Sequence, residues 1–356
     1  MSKRAKVESP FTTTFKYGGM KAMLEQHGVA IVPNVLDPSE CAALIDGLWS
    51  HFSHVLPNLK REDPRTWREI FKLYPKHGML HQHYHAGVCQ AAFDVRQNPK
   101  VAEGFARIFE TNKLTSSIDG VAFGLDPMHT KRGWENKGWL HLDQAAKKDG
   151  SRSQFECVQS WVTAADVGEG DATLRVLVGS HLLHGSFSEK FGVEDSNHDW
   201  LMLTPEHEEW YRQQGCTTYD VVCPAGSQVF WDSRTVHSGK SPVKGRESHR
   251  NRYVVYASYL PTSCISPHNA AKKRRAVVEG RMTSHWPDAR KLFPRMPRTY
   301  GGPLHPESEY IQPKLTPFGA SLFGWHENPL VCPLVTVESS QNWSPLDCPF
   351  VPKSSS

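Results

Sequence analysis

Three stretches of the chain place a carboxylate two residues after a histidine: His141-Leu142-Asp143, His207-Glu208-Glu209 and His305-Pro306-Glu307. One chemistry makes direct use of that spacing. A mononuclear iron site takes two imidazoles and one carboxylate on one face of an octahedral ion and leaves the opposite face open. On a β-strand, residues i and i+2 project to the same side, so His-x-Asp supplies two of the three ligands compactly. With 19 histidines in 356 residues, a few such triplets arise by chance. Their surroundings have to separate them.

His207 and Glu209 fall in a segment, 205–214, that opens on Thr204-Pro205 and stops at Gly215, which reads as a helix. There, positions i and i+2 point about 200° apart and cannot share an ion. His305 belongs to the stretch from 287 onward that holds 12 of the 25 prolines, and is expected to be exposed. His141 and Asp143 sit instead in a strand-like run, GWLHLDQ, over 138–144. A third ligand should come from a later strand. Residues 224–239, PAGSQVFWDSRTVHSG, give a Pro-Gly turn, a strand and then His237 before a glycine-containing loop. Beyond it, Arg250 and Arg252 lead the apolar run RYVVY. A guanidinium held at the mouth of such a strand suits bidentate capture of a carboxylate.

Which elements would position these residues? A buried strand over 27–36 is followed by a well-signalled helix: Asp37 caps it, Pro38 takes its first position and Glu40 completes a capping box. A second helix opens the same way at Asn98-Pro99. From about 115 the texture changes to short strands rich in Val, Tyr, Trp and Thr, at 115–123, 139–144, 154–165, 173–178, 219–223, 228–231 and 252–260. Another helix is expected after Ser266-Pro267. Seven short strands with little helix between them favour an antiparallel sandwich or barrel. The expected fold is mainly β with helical additions around a jelly-roll core.

Composition narrows the class further. Hydrophobic residues make up 38% of the chain, and no apolar run approaches the ~20 residues of a spanning helix, so no membrane role is expected. A net charge of +4 is too mild to predict nucleic-acid binding. The eight cysteines form no C-x-x-C pair and are read as buried small hydrophobes. MSKRAKVESP lacks an apolar h-region, so a cytoplasmic, non-secreted protein is expected. Lys3-Arg4 and the basic run at 272–275 read as solvated helix surface, with a nuclear signal as the alternative.

Taken in order, these pieces resemble the phytanoyl-CoA dioxygenase-like (PhyH) branch of the Fe(II)/2-oxoglutarate-dependent oxygenases. The resemblance runs from about Gly28 to Pro261. It includes HGVAIVPNVLDPSECAALIDGL, the HLD triplet, RVLVGSH at 175–181, GSQVFWDSRTVHSG and NRYVVYASYLP. It implies a double-stranded β-helix (cupin-like) core, and His141, Asp143 and His237 as iron ligands. Arg252, with Arg250 as fallback, would pair with the distal carboxylate of 2-oxoglutarate. Gln159 and Trp161, alternating on the strand after the triplet, would contact the cosubstrate if they face inward; otherwise Trp161 is barrel core. The chain departs from the family in its Gly170-Asp171-Ala172-Thr173 turn and in Val178, which replaces a common proline.

The implied activity is a dioxygenase that converts 2-oxoglutarate and O2 to succinate and CO2 while hydroxylating a C–H bond of a small molecule. Asp143 itself favours hydroxylation or a related oxidation, since related halogenases carry Gly or Ala there. Two alternatives stand: the same chemistry on a nucleobase or nucleic acid, and a non-catalytic jelly-roll binding protein. The implied organisation is a disordered leader over 1–19, one oxygenase domain over 20–300 and a proline-rich extension over 301–356. Within the domain, helical support spans 37–113 and the jelly-roll core 115–261. The remaining signals have plainer readings. The His81-Gln82-His83-Tyr84-His85 run is assigned to packing or substrate contact, Asp119-Gly120 to a turn, and Trp139 to the pocket wall or core. Ser180-His181 lacks a nucleophile elbow.

Overall fold

The computed structural model describes residues 9–13, 17–134, 138–193, 199–246 and 249–325. Of these, 34% are helical and 19% lie in strands or bridges, which corrects a mainly β protein to a mixed one. Strand length is the reason. The expected 115–123 strand is interrupted over 117–120, 139–144 contracts to two residues, and 252–260 splits in two.

The helices form where their caps dictate. For Pro38–Val55, the Asp37 carboxylate accepts the Ser39 and Glu40 amides at 2.9 and 3.0 Å, and Glu40 accepts the Asp37 amide at 2.8 Å. The helix buries Leu44, Leu48, Trp49 and Phe52 on one face. Pro99–Phe109 starts likewise, with Asn98 accepting the Lys100 amide at 3.0 Å.

Thirteen strands are defined among the described residues. The first four are β1 (Val29–Val32), β2 (Leu80–His81), β3 (Leu114–Ser116) and β4 (Val121–Gly124). Next come β5 (His141–Leu142), β6 (Val158–Thr163), β7 (Thr173–Val178), β8 (Leu201–Met202) and β9 (Thr217–Asp220). The last four are β10 (Gln228–Asp232), β11 (His237–Lys240), β12 (Arg252–Tyr256) and β13 (Tyr259–Pro261). One antiparallel sheet runs β1-β10-β6-β12-β4-β2 and a second β8-β5-β11-β7-β9, while β13 pairs with β3.

Strand alternation divides the core into two layers. Val29, Ile31, Trp161, Val229, Trp231 and Val254 face one way, where they meet Leu174 and Val176 of the second sheet. Ala30, Val32, Val162, Phe230, Tyr253 and Val255 face the helices. There, Phe105 packs on Phe230 with ring centroids 5.3 Å apart, and the Trp49 indole donates to the Tyr253 hydroxyl at 3.0 Å. Strands of the larger sheet are therefore buried on both faces, which is why they read as unbroken apolar runs.

The chain ends differ from the simplest reading. Residues 9–13, within the stretch read as a disordered leader, pair with β1, and Phe11 joins the layer between the sheets. This pairing gives the backbone groups of the β1 edge their partners. Residues 301–325 run extended and then form helix Pro317–Leu322, placing Leu322 and Phe323 in the helical layer. The remainder of the extension, 326–356, lies outside the described residues. Cys41, Cys89, Cys157, Cys216 and Cys223 are free and buried, as expected, whereas Cys264 is disulfide-bonded. Among the described residues, no helix is long and apolar enough to cross a membrane.

Candidate metal centre

β5 and β11 are neighbours in the second sheet, and their register sets His141 directly opposite His237. Asp143 follows β5 in a bend, one residue past the strand, and its side chain still returns to the two imidazoles. His141 Nε2 lies 3.6 Å from Asp143 Oδ1, and His237 Nε2 lies 3.3 Å from Asp143 Oδ2. One ligand atom from each of the three residues falls within 4.8 Å of the others.

The imidazoles are oriented from behind. His141 Nδ1 meets the Trp139 carbonyl at 3.1 Å, and His237 Nδ1 meets the Thr235 carbonyl at 2.9 Å. A carbonyl only accepts, so each Nδ1 carries a proton and each Nε2 is the nitrogen turned toward Asp143, a donor to the carboxylate when protonated and a lone pair for a metal when not. Trp139 also stacks flat on His141. Gln159 Nε2 donates to Asp143 Oδ2 at 3.1 Å. Burial alone raises the Asp143 carboxyl. The charges of His285 and His141, with hydrogen bonds from His141 and His237, outweigh it and hold the group well below the ordinary carboxylate value. A carboxylate ionised at neutral pH beside two Nε2 atoms that can give up their proton to a metal is a donor set that fits Fe(II).

Gln159 and Trp161 share the inward face of β6. Trp161 belongs to the layer between the sheets and underlies the Arg252 guanidinium at 5.1 Å. Arg252 is 4% exposed and donates from Nη1 to the Ala172 carbonyl at 2.8 Å, while its Nε has no partner. No carboxylate pairs with it among the described residues. Arg250 is placed differently: half-exposed, it pairs with Asp171 at 2.7 Å.

Residues 24–242 match the family described as phytanoyl-CoA dioxygenase (PhyH), a span of more than half the chain. The chain belongs to the PhyH family. Fe(II) and 2-oxoglutarate are therefore its cofactor and cosubstrate, in keeping with the donor set above. A curated relative, Ava biosynthesis cluster protein O of Aspergillus versicolor, is 25% identical over 247 residues, 67% of this chain and 77% of its own. Among solved structures, GlcNAc Inducible Gene 2 of Candida albicans is 14% identical with a TM-score of 0.55, covering 92% of this chain and 78% of that one. A putative oxidoreductase of Salmonella typhimurium LT2 is 12% identical with a TM-score of 0.50, covering 86% and 82%. These two likenesses concern the fold.

The other sequence candidates fall outside the group of His141, Asp143 and His237. His207 and Glu209 lie on helix Pro205–Gln213, as expected. His305 is half-buried rather than exposed, because its Nε2 bonds the Val55 carbonyl at 2.9 Å. His81, His83 and His85 each bond a backbone carbonyl, the packing alternative. Ser180 and His181 likewise bond backbone carbonyls, of Leu177 and Glu25.

Two neighbours of the centre carried no sequence signal. Trp200 approaches His141 with ring centroids 5.9 Å apart and is half-exposed. His285, beyond the span matched to PhyH, places Nδ1 at 3.7 Å from Asp143 Oδ2.

Proposed function

We propose that the protein is an Fe(II)/2-oxoglutarate-dependent dioxygenase that hydroxylates a C–H bond of a small molecule, in a double-stranded β-helix core. The observation that carries this reading is the convergence of His141, Asp143 and His237 with both imidazole tautomers fixed. Strand order supports the jelly roll: β5, β7, β9 and β11 lie in one sheet, and β6, β10 and β12 in the other, so the chain passes repeatedly between them.

Within such a site, Fe(II) and 2-oxoglutarate supply oxidative decarboxylation to succinate and CO2, coupled to oxidation of a substrate C–H bond. The chain's own residues divide the remaining work. His141, Asp143 and His237 hold the metal. Arg252, buried with no acidic partner among the described residues, receives the distal carboxylate, a charge its site otherwise lacks. Gln159 steadies Asp143, and Trp161 forms the floor under Arg252. Trp200 and Met202, both about half-exposed beside His141, give the mouth an apolar rim suited to a small molecule with apolar surface.

The nucleic-acid alternative loses its main support. Of the basic run, Lys273 is buried against Thr115 and Ser116, Lys272 bonds the Arg290 carbonyl and Arg274 the Gly324 carbonyl. Anaerobic addition of Fe(II) and 2-oxoglutarate tests the proposal: a weak visible charge-transfer band should appear in wild type and vanish in His141→Ala. Absence of the band, with no 2-oxoglutarate consumption, would sink the reading.

A further inference from the structure

We propose that His285 is a positioning residue of the metal centre, its Nδ1–H directed at Asp143 Oδ2 so that the carboxylate is held by His285 and Gln159 together. The proposal rests on the metal-site reading above and adds to it a residue from outside the family-matched span.

The first argument is what else His285 touches. Both ring nitrogens of His249 are buried without a partner, whereas three other histidines with buried rings are tied to backbone, His81 to Phe123, His85 to Gly280 and His184 to Gln144. His285 has no such bond. Its Nε2 is buried without a partner, and its Nδ1 lies 3.7 Å from Asp143 Oδ2. Buried polar groups normally find a partner, and the charged group beside Nδ1 of His285 is the Asp143 carboxylate. The atoms mutually within 4.8 Å come from His141, Asp143 and His237, so His285 adjoins the carboxylate without belonging to the ligand group.

The second argument is how firmly the segment is held. Thr283 bridges Leu292, and the Ser284 amide donates to the Lys291 carbonyl at 3.3 Å, closing a hairpin around 285–290. Thr283 is tied in both directions to Ile118, at 2.8 and 2.9 Å. Trp286 is 2% exposed, with the Arg290 guanidinium 3.6 Å above its ring and that of Arg152 at 5.8 Å. Arg152 pairs with Glu156 and Asp199, and Arg290 approaches the same two carboxylates at 3.9 and 3.7 Å. Glu156 lies between β5 and β6, and Asp199 just before β8, so the hairpin is fastened to the loops that flank His141 and Asp143. A side chain held this way can orient a ligand, since the groups behind metal ligands set their direction and basicity.

Co(II) titration of the purified protein, used as an optical probe without cosubstrate, tests the proposal. Asn places an amide nitrogen near the position of imidazole Nδ1, and Gln near Nε2. His285→Phe should weaken Co(II) binding by about 10- to 100-fold. His285→Asn should recover most of that loss and His285→Gln should not. Unchanged affinity in His285→Phe, or equal recovery by Asn and Gln, would overturn the proposal. If His285→Phe fails to fold, the Asn and Gln variants decide it alone. Wild type that binds Co(II) no better than His141→Ala would bring down the metal-site reading itself. Binding by wild type with no effect at His285 overturns the positioning role alone.

Discussion

Trp139 lies flat against the His141 imidazole, ring centroids 4.7 Å apart and planes 9° apart, and it also stacks on His77 at 3.6 Å and 3°. Its indole N–H donates to the Gly239 carbonyl at 2.8 Å, two residues past His237. One side chain thus braces the strands that carry both imidazole ligands.

Removing that brace should loosen the metal centre without removing a ligand. Stacked aromatic pairs contribute about 1 kcal/mol beyond their buried area, near fivefold in a binding constant. Trp139→Ala should therefore weaken Co(II) binding at least severalfold. Trp139→Phe, which keeps a stacking face and loses the bond to Gly239, should fall between. The Trp139 carbonyl that fixes the His141 tautomer belongs to the backbone and survives both changes. Equal Co(II) affinity in all three proteins would show that the stack is packing alone.

Arg252 and Arg250 make a second pair of contrasting variants. Arg252→Leu should weaken 2-oxoglutarate binding by more than ~30-fold, the scale of a lost charge-assisted pair of about 2 kcal/mol or more. Its melting temperature should hold or rise, because a buried guanidinium with no acidic partner among the described residues is removed. Arg250→Ala breaks a half-exposed pair with Asp171, to which Arg246 remains bound at 2.6 Å, and should leave cosubstrate affinity unchanged. Calorimetric titration of 2-oxoglutarate into the metal-loaded variants separates the two. A cosubstrate defect in Arg250→Ala would reverse the assignment.

The legibility of this site follows from locality. His141 and Asp143 are two residues apart, so a rule about strand faces could pair them, and it did so although β5 ends before Asp143. His237 could be found because a Pro-Gly turn and an apolar run announce β10 just before it, although the strand it opens, β11, reads in sequence as a loop. His285 follows no strand and has no carboxylate two residues on; only the folding of the 283–292 hairpin onto the β5–β6 and β8 loops brings it to Asp143. The fold shows the same limit. Capping residues marked the starts of Pro38–Val55, Pro99–Phe109 and Pro205–Gln213 to the residue. Periodicity alone ran 115–123 through Asp119-Gly120, where Arg96, reaching over from helix Gln90–Arg96, binds the Asp119 carbonyl and interrupts the strand. Such long-range demands leave no local pattern.

Buried histidines outside the site should set the acid limit of stability. Burial pushes His81 down to about 3 and His184 down to about 4, both from an ordinary value of 6.5. Between those values and 6.5 the unfolded chain binds protons that the folded chain refuses, so stability rises with pH across this window and is lost on acidification. Each such histidine contributes a slope of about 1.4 kcal/mol per pH unit at most. Urea unfolding of the metal-free protein between pH 4 and 6.5 should show this slope. His81→Gln, which keeps a donor for the Phe123 carbonyl and cannot titrate, should flatten it. An unchanged slope would mean that His81 protonates freely in the fold.

Asp143 should act on stability with the same sign but in a lower pH window, and this separates its electrostatic role from its role as a ligand. Its carboxyl is held well below the ordinary value in the folded chain. A group depressed in this way contributes stability that is present above its unfolded value, near 3.9, and lost as pH falls through its folded value. Asp143→Asn keeps the shape and the contact with Gln159 but cannot ionise. The metal-free variant should therefore melt below wild type at pH 7, and the gap should close as pH is lowered below 4. Co(II) binding should be lost by more than ~100-fold at every pH, since the exchange removes a charged ligand outright. A melting gap that persists undiminished into acid would assign the loss to packing. A variant that still bound Co(II) as wild type would remove Asp143 from the metal site.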